Sequence, residues 1–142
     1  MKFPLLRSLL LVAGLIGATI GASLLLNPVA FQASTGITLP PNPSLLSEVR
    51  APGGALLVGN LLIAAGALVQ RMTLPSTVLA CWLYLSYGLS RVLGMLIDGV
   101  PETLLVQATL VELLIGGACA FALLKQRESL FPGNIESRET PG

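Results

Sequence analysis

The stretch LLRSLLLVAGLIGATIGASLLL, Leu5 to Leu26, decides the fold class. Past Arg7 it carries no charge. As a helix rising ~1.5 Å per residue it would run about 33 Å, enough to cross a hydrocarbon core ~30 Å thick. The basic start, Lys2 and Arg7, would also suit a cleaved signal peptide. The apolar stretch is longer than the usual core of such a peptide, however, and no A-x-A site follows it cleanly, so it reads as a retained span.

Working outward, Asn27-Pro28 closes this run, and three further apolar runs follow: about Gly53 to Gln70, Leu74 to Ile97, and Thr103 to Leu124. Turn signals separate them. Pro52-Gly53-Gly54 opens the second with a proline suited to a first helical position. Arg71 to Pro75 is a tight turn, and Asp98-Gly99-Val100-Pro101 is a strong one. Of the 142 residues only 11% are charged, against about 25% in a soluble domain, which leaves too little charge to coat a water-facing surface. The expected architecture is all-α: an integral membrane four-helix bundle occupying residues 1–127, multi-pass in a cell membrane, followed by a polar tail over 128–142 that is expected to be disordered. The connection from Asn27 to Pro52 is rich in Pro, Ser, Thr and Gly. Its end, Ser44 to Arg50, suits a short helical turn capped by Ser44.

Orientation follows from basic residues in the short flanks. With the N-terminus inside, Lys2, Arg7, Arg71, Lys125 and Arg127 face the cytoplasm and only Arg50 faces out, so both termini are expected to be cytoplasmic. Asn60-Leu-Leu-Ile-Ala-Ala-Gly echoes Glu112-Leu-Leu-Ile-Gly-Gly-Ala, and both lead to Gln-Arg. A parallel repeat of helix pairs would explain the echo, as would chance in apolar sequence. Small residues mark candidate contact faces: Gly14, Gly17 and Gly21 in the first span, Ala55 and Gly59 in the second, Ser86, Ser90 and Gly94 in the third, and Gly116 and Ala120 in the fourth.

Composition excludes several functions. There is no histidine, which removes haem ligation through His, histidine-bound zinc and Ser/His/Asp catalysis. No metal site, cofactor motif or catalytic constellation is present. A net charge of +1 without a basic patch gives no footprint for nucleic acid. Cys81 and Cys119 are far apart, in no CxxC arrangement, and read as small hydrophobes rather than a redox pair.

The informative residues are Arg91 and Glu112, because an ionisable group inside a span costs at least ~2.5 kcal/mol and turns toward protein or water. Counting from the turn at Asp98 to Glu102, they lie about 10 and 15 Å deep, within reach of one another. Tyr84, Tyr87, Arg91 and Asp98 share one helical face, while Thr109, Glu112 and Gly116 share another. Asn60 lies at a depth similar to that of Arg91. Asn60, Tyr87, Arg91, Asp98 and Glu112 could therefore line one polar pocket, with Glu48 and Arg50 at its mouth. Trp82 and Tyr84 read as an aromatic belt. The alternatives for the Arg91–Glu112 pair are a structural contact fixing helix register, a ligand site, or proton handling.

These residues carry a resemblance. Glu48-x-Arg50-x-x-Gly53-Gly54, Gly88-x-x-Arg91-x-x-Gly94, Asp98-Gly99-x-Pro101 and Glu112-Leu113, between about Ser47 and Arg127, resemble the bacterial membrane family known as domain of unknown function 4345. The resemblance implies a four-helix membrane protein built around those polar residues and implies no activity. More distantly, the plan is similar to DoxX-like proteins, some of which are tied to quinone or thiol redox chemistry. The favoured function is a non-enzymatic bundle that binds a lipid or hydrophobic molecule, or supports a membrane complex, with the bilayer and a second copy or partner subunit as its company. A quinone-using redox protein and a minimal proton-coupled transporter with Glu112 as carrier are the alternatives.

Overall fold

The computed structural model describes residues 3–130, all of whose regular structure is helical: α1 (Phe3–Leu26), α2 (Pro28–Ser34), α3 (Pro43–Leu68), α4 (Thr73–Asp98) and α5 (Thr103–Leu130), with one 3₁₀ turn at Gln70–Met72. Four of these helices, all but α2, are long and apolar enough to cross a membrane. The chain is a multi-pass membrane protein of all-α architecture. The polar tail expected to be disordered lies, from residue 131, outside the described residues, and α5 continues to Leu130, past the boundary at 127 that the apolar pattern suggests.

Two local features depart from the sequence reading. Pro28 starts a short helix, α2, which closes when Gly36 takes a φ of 80°. Gly36 N–H then donates to Ala33 O at 3.1 Å and Ile37 N–H to Gln32 O at 2.9 Å, the paired bonds of a left-handed helix stop. The second difference is α3, which begins at Pro43 rather than near Gly53. Asn42, not Ser44, is the cap, its side chain accepting from the backbone N–H of Ser44 at 2.9 Å and of Leu45 at 3.4 Å, with Pro43 preset at the first helical position. The helix then runs through Pro52, whose missing N–H removes one rung of the ladder without ending it. A proline reads as a start signal in sequence, and here a better start lies one Asn-Pro upstream.

The bundle is built from two antiparallel pairs, α1 with α3 and α4 with α5, joined chiefly by α3 against α4. In the first pair Gly14, Gly17 and Gly21 face α3 so closely that a Cβ at Gly14 would lie 2.6 Å from Ala64 N, and one at Gly17 would overlap the Asn60 side chain. In the second, a Cβ on Gly88 would lie 2.7 Å from Leu113, and one on Gly116 2.7 Å from Leu85. Leu85 and Gly88 stand 71 positions after Gly14 and Gly17, and Gly116 stands 52 after Ala64, the same step that relates Asn60 to Glu112. The sequence echo therefore coincides with equivalent packing positions in the two pairs. Ser86, Ser90, Ala55 and the Cβ side of Gly94 do not form these contacts; Ser86, Ser90 and Ala55 are exposed. In their place Gly88 packs on α5, and Gly53, Ala64, Gly66 and Ala67 are the buried small residues of α3.

The ends of the first pair are latched by arginines. Arg7 Nε donates to Ala67 O at 2.6 Å and its Nη2 to Leu68 O at 3.2 Å. Arg50 donates in the same way to the carbonyls of Leu25 and Leu26. Each helix thus supplies the cation that satisfies the last carbonyls of its partner.

Packing is uneven along the bundle. At the end carrying Arg7 the two pairs close on a core of Leu6, Leu10, Ile63, Ala67, Ala80, Cys119 and Ala122, with Cys81 packed against it. Both cysteines are free, and Cys119 is fully buried. Ser76 Oγ donates to Leu62 O at 2.7 Å and Thr73 Oγ1 to Gly66 O at 2.8 Å, which ties α4 to α3 there. Toward the α2 end the pairs part and leave a cavity.

Candidate functional site

The cavity of about 730 Å³ is lined by the second half of α1 from Gly17, the last turn of α2 and the turn after it, α3 from Glu48 to Asn60, α4 from Leu83 to Arg91 and the first half of α5. That size falls within the ~300–1,000 Å³ typical of small-molecule sites. Its walls are mostly aliphatic, including Ile20, Leu24, Leu56, Leu83, Leu105 and Val111, and α2 contributes Phe31, Gln32 and Thr35 as a partial roof. Its floor is polar and tied. Tyr84 O–H lies 2.7 Å from Ala13 O and 3.0 Å from Asn60 Oδ1, and Asn60 Nδ2 donates to Leu56 O at 2.9 Å. Gly17 allows this, since any larger residue would occupy the space of the Asn60 amide. Below the floor lies the closed core of Leu10, Ile63, Ala80 and Cys119.

Arg91 and Glu112 meet on the pocket wall. Arg91 Nε lies 3.2 Å from Glu112 Oε2, with the side chains 34% and 15% exposed. The two atoms are close enough to attract, but their alignment does not make a hydrogen bond, and both are buried without another such partner. Among the described residues no hydrogen bond uses the rest of the guanidinium or carboxylate. What the site offers a visitor is a fork of N–H donors beside a pair of acceptor oxygens, on an otherwise apolar wall. Tyr87 lines the same cavity, and Gln107 and Glu48 complete its polar rim.

The family profile described as domain of unknown function 4345 matches residues 5–123, from the start of α1 to the last turns of α5. The chain belongs to this family. The matched region takes in both helix pairs, α2 and every wall of the cavity. No protein of curated function and no solved structure matches the chain.

Of the residues picked out from sequence, Asn60, Tyr87, Arg91, Glu112 and Glu48 line this one cavity. Arg50 and Asp98 do not. Arg50 is engaged with the end of α1, and Asp98 is exposed at the last position of α4 and is not among the residues that line the cavity. Sequence reasoning passed over Tyr84, which shares a helical face with Tyr87 and Arg91 and reads equally well as a belt aromatic; its partner is a carbonyl on α1 that no local pattern reveals. The contribution of α2 was also hidden, because Phe31, Gln32 and Thr35 sit in what reads as a connection. No group of three or more Cys, Asp or Glu side chains among the described residues is placed to hold a metal ion.

Proposed function

We propose that the chain is a non-enzymatic membrane binding protein that holds an amphipathic small molecule or lipid. The apolar body would lie along Ile20, Leu24, Leu56, Leu83 and Leu105, and the polar head would meet Arg91 and Glu112. The observation that carries this reading is an ion pair, 3.2 Å apart, that borders roomy apolar space instead of packed side chains. A pair serving helix register alone is best enclosed, because every gap beside it costs packing and leaves polar atoms unsatisfied. On the positive-inside pattern the α2 end faces away from the cytoplasm, in a cell membrane, with both termini inside.

Native mass spectrometry of the protein released from lipid nanodiscs tests this. A copurifying small molecule should ride on the wild type and be lost from Ala108→Trp, which fills the cavity from α5, while circular dichroism shows both to be equally helical. Equal retention by the two proteins would place any such molecule on the lipid-facing surface and remove the proposal. The same spectra report whether a second copy or a partner subunit is bound.

A further inference from the structure

The charges lining the cavity restrict what can occupy it. On the reading that the cavity is a binding site, we infer that its ligand is an electrically neutral amphiphile whose head combines a hydrogen-bond acceptor, such as a carbonyl, with a hydroxyl or amide N–H donor. Three observations point this way. First, the wall carries one cation and one anion in contact, Arg91 and Glu112, so its deep charge is already balanced. An anionic head must draw Arg91 away from Glu112 and leave a carboxylate unpaired on a mostly apolar wall, and a cationic head must draw Glu112 away and strand the guanidinium. Second, although Arg91 Nε and Glu112 Oε2 are buried against one another, no hydrogen bond among the described residues uses the Arg91 Nη groups or Glu112 Oε1, which leaves these N–H groups and lone pairs for a third party. A head with one acceptor and one donor satisfies both without parting them. Third, the remaining charge on the lining is Glu48, exposed at the rim of α3, which repels an approaching anion and leaves a neutral head unaffected. The other cavity residues from α1, α2 and α5 are all uncharged, Gln32 and Gln107 among them.

The test uses three probes with the same twelve-carbon tail, 1-monododecanoylglycerol, dodecanoate and dodecylammonium, titrated at about pH 9, where both charged heads are ionised. Full-length protein in nanodiscs is read by native mass spectrometry, and binding that survives in Ala108→Trp is subtracted as surface partition. The monoglyceride is expected to bind at least about tenfold more tightly than either charged probe, the order expected when a charged head must break a paired ion. Glu112→Gln removes the balancing anion and should reverse the order between the monoglyceride and dodecanoate. Glu48→Gln, at an exposed position that does not threaten folding, should narrow the disadvantage of dodecanoate relative to the monoglyceride by a few-fold. Dodecanoate or dodecylammonium binding the wild type as well as the monoglyceride would overturn the neutral-head assignment and leave the cavity as a binding site. An unchanged preference in a folded Glu112→Gln protein would do the same. If none of the three probes shows binding that Ala108→Trp abolishes, the binding-site reading falls together with this one.

Discussion

Arg91 and Glu112 are the residues at which sequence and structure meet most directly. Charge inside an apolar run is conspicuous, and the energetic need for shelter brought both to one wall of the bundle. That much could be read from two positions in adjacent spans. The cavity beside them could not, because it depends on how far two helix pairs part. Replacing Arg91 by Leu leaves the Glu112 carboxylate without its partner and should destabilise the folded protein by ~1–3 kcal/mol, less than for a fully buried pair because a third of the Arg91 side chain is exposed. Changing both residues to Leu should recover much of that loss, as followed by thermal unfolding in mild detergent. If the pair binds a ligand, the recovered double variant should remain unable to retain it. Tyr84→Phe belongs to the same scale. It removes the hydroxyl that links α4 to Ala13 and Asn60 and should cost about 1 kcal/mol. Tyr84 was illegible in sequence for a simple reason: its partner is a backbone carbonyl, and backbone carbonyls leave no mark on composition.

At the scale of the element, α1 and α3 show how close approach is specified. The glycines of α1 were legible, since a four-residue spacing of Gly in a span signals helix contact. Their partners on α3 were not, because Ala55 and Gly59 compete in the sequence with Ala64, Gly53 and the less expected Asn60. Gly17→Leu should force α1 off Asn60 and break the cavity floor. The expected outcome is a large drop in melting temperature, whereas Ser86→Leu, which places the same side chain on an exposed face of α4, should leave it nearly unchanged. The start of α3 offers a milder check. Asn42→Ala removes an N-cap and should cost ~1 kcal/mol, while Ser44→Ala, at the position that reads as the cap in sequence, should cost little. The misplaced start has a physical cause. Pro52 can begin a helix or sit inside one, and only the stronger Asn42-Pro43 signal upstream decides between them.

At the scale of the whole molecule, one end is closed and the other is open. Four spans and the all-helical class followed from hydrophobic runs and turn residues, although the start of α3 lies ten residues upstream of the expected one. The uneven closure did not, because it comes from the sizes of side chains on four helices taken together: Leu10, Ile63, Ala80 and Cys119 meet with no exposed surface at one end. Accessibility should report this asymmetry. In a cysteine-free background, Leu105→Cys should react with a membrane-impermeant maleimide added from the side of α2, and Ala67→Cys should stay unlabelled from either side. Ready labelling at position 67 would show a water path through the region below Tyr84, as a transporter requires.

The arginine latches on the first helix pair carry a further consequence for how the chain is made. Arg7 and Arg50 both lie in the first fifty residues, and the carbonyls they engage, at Leu25, Leu26, Ala67 and Leu68, are all complete before Thr73 is synthesised. The leading hairpin therefore carries all the groups needed to fasten its two ends before its sister hairpin leaves the ribosome. Biogenesis can proceed by halves, with a preassembled template against which the second half docks, and the gap between the two halves is what becomes the pocket.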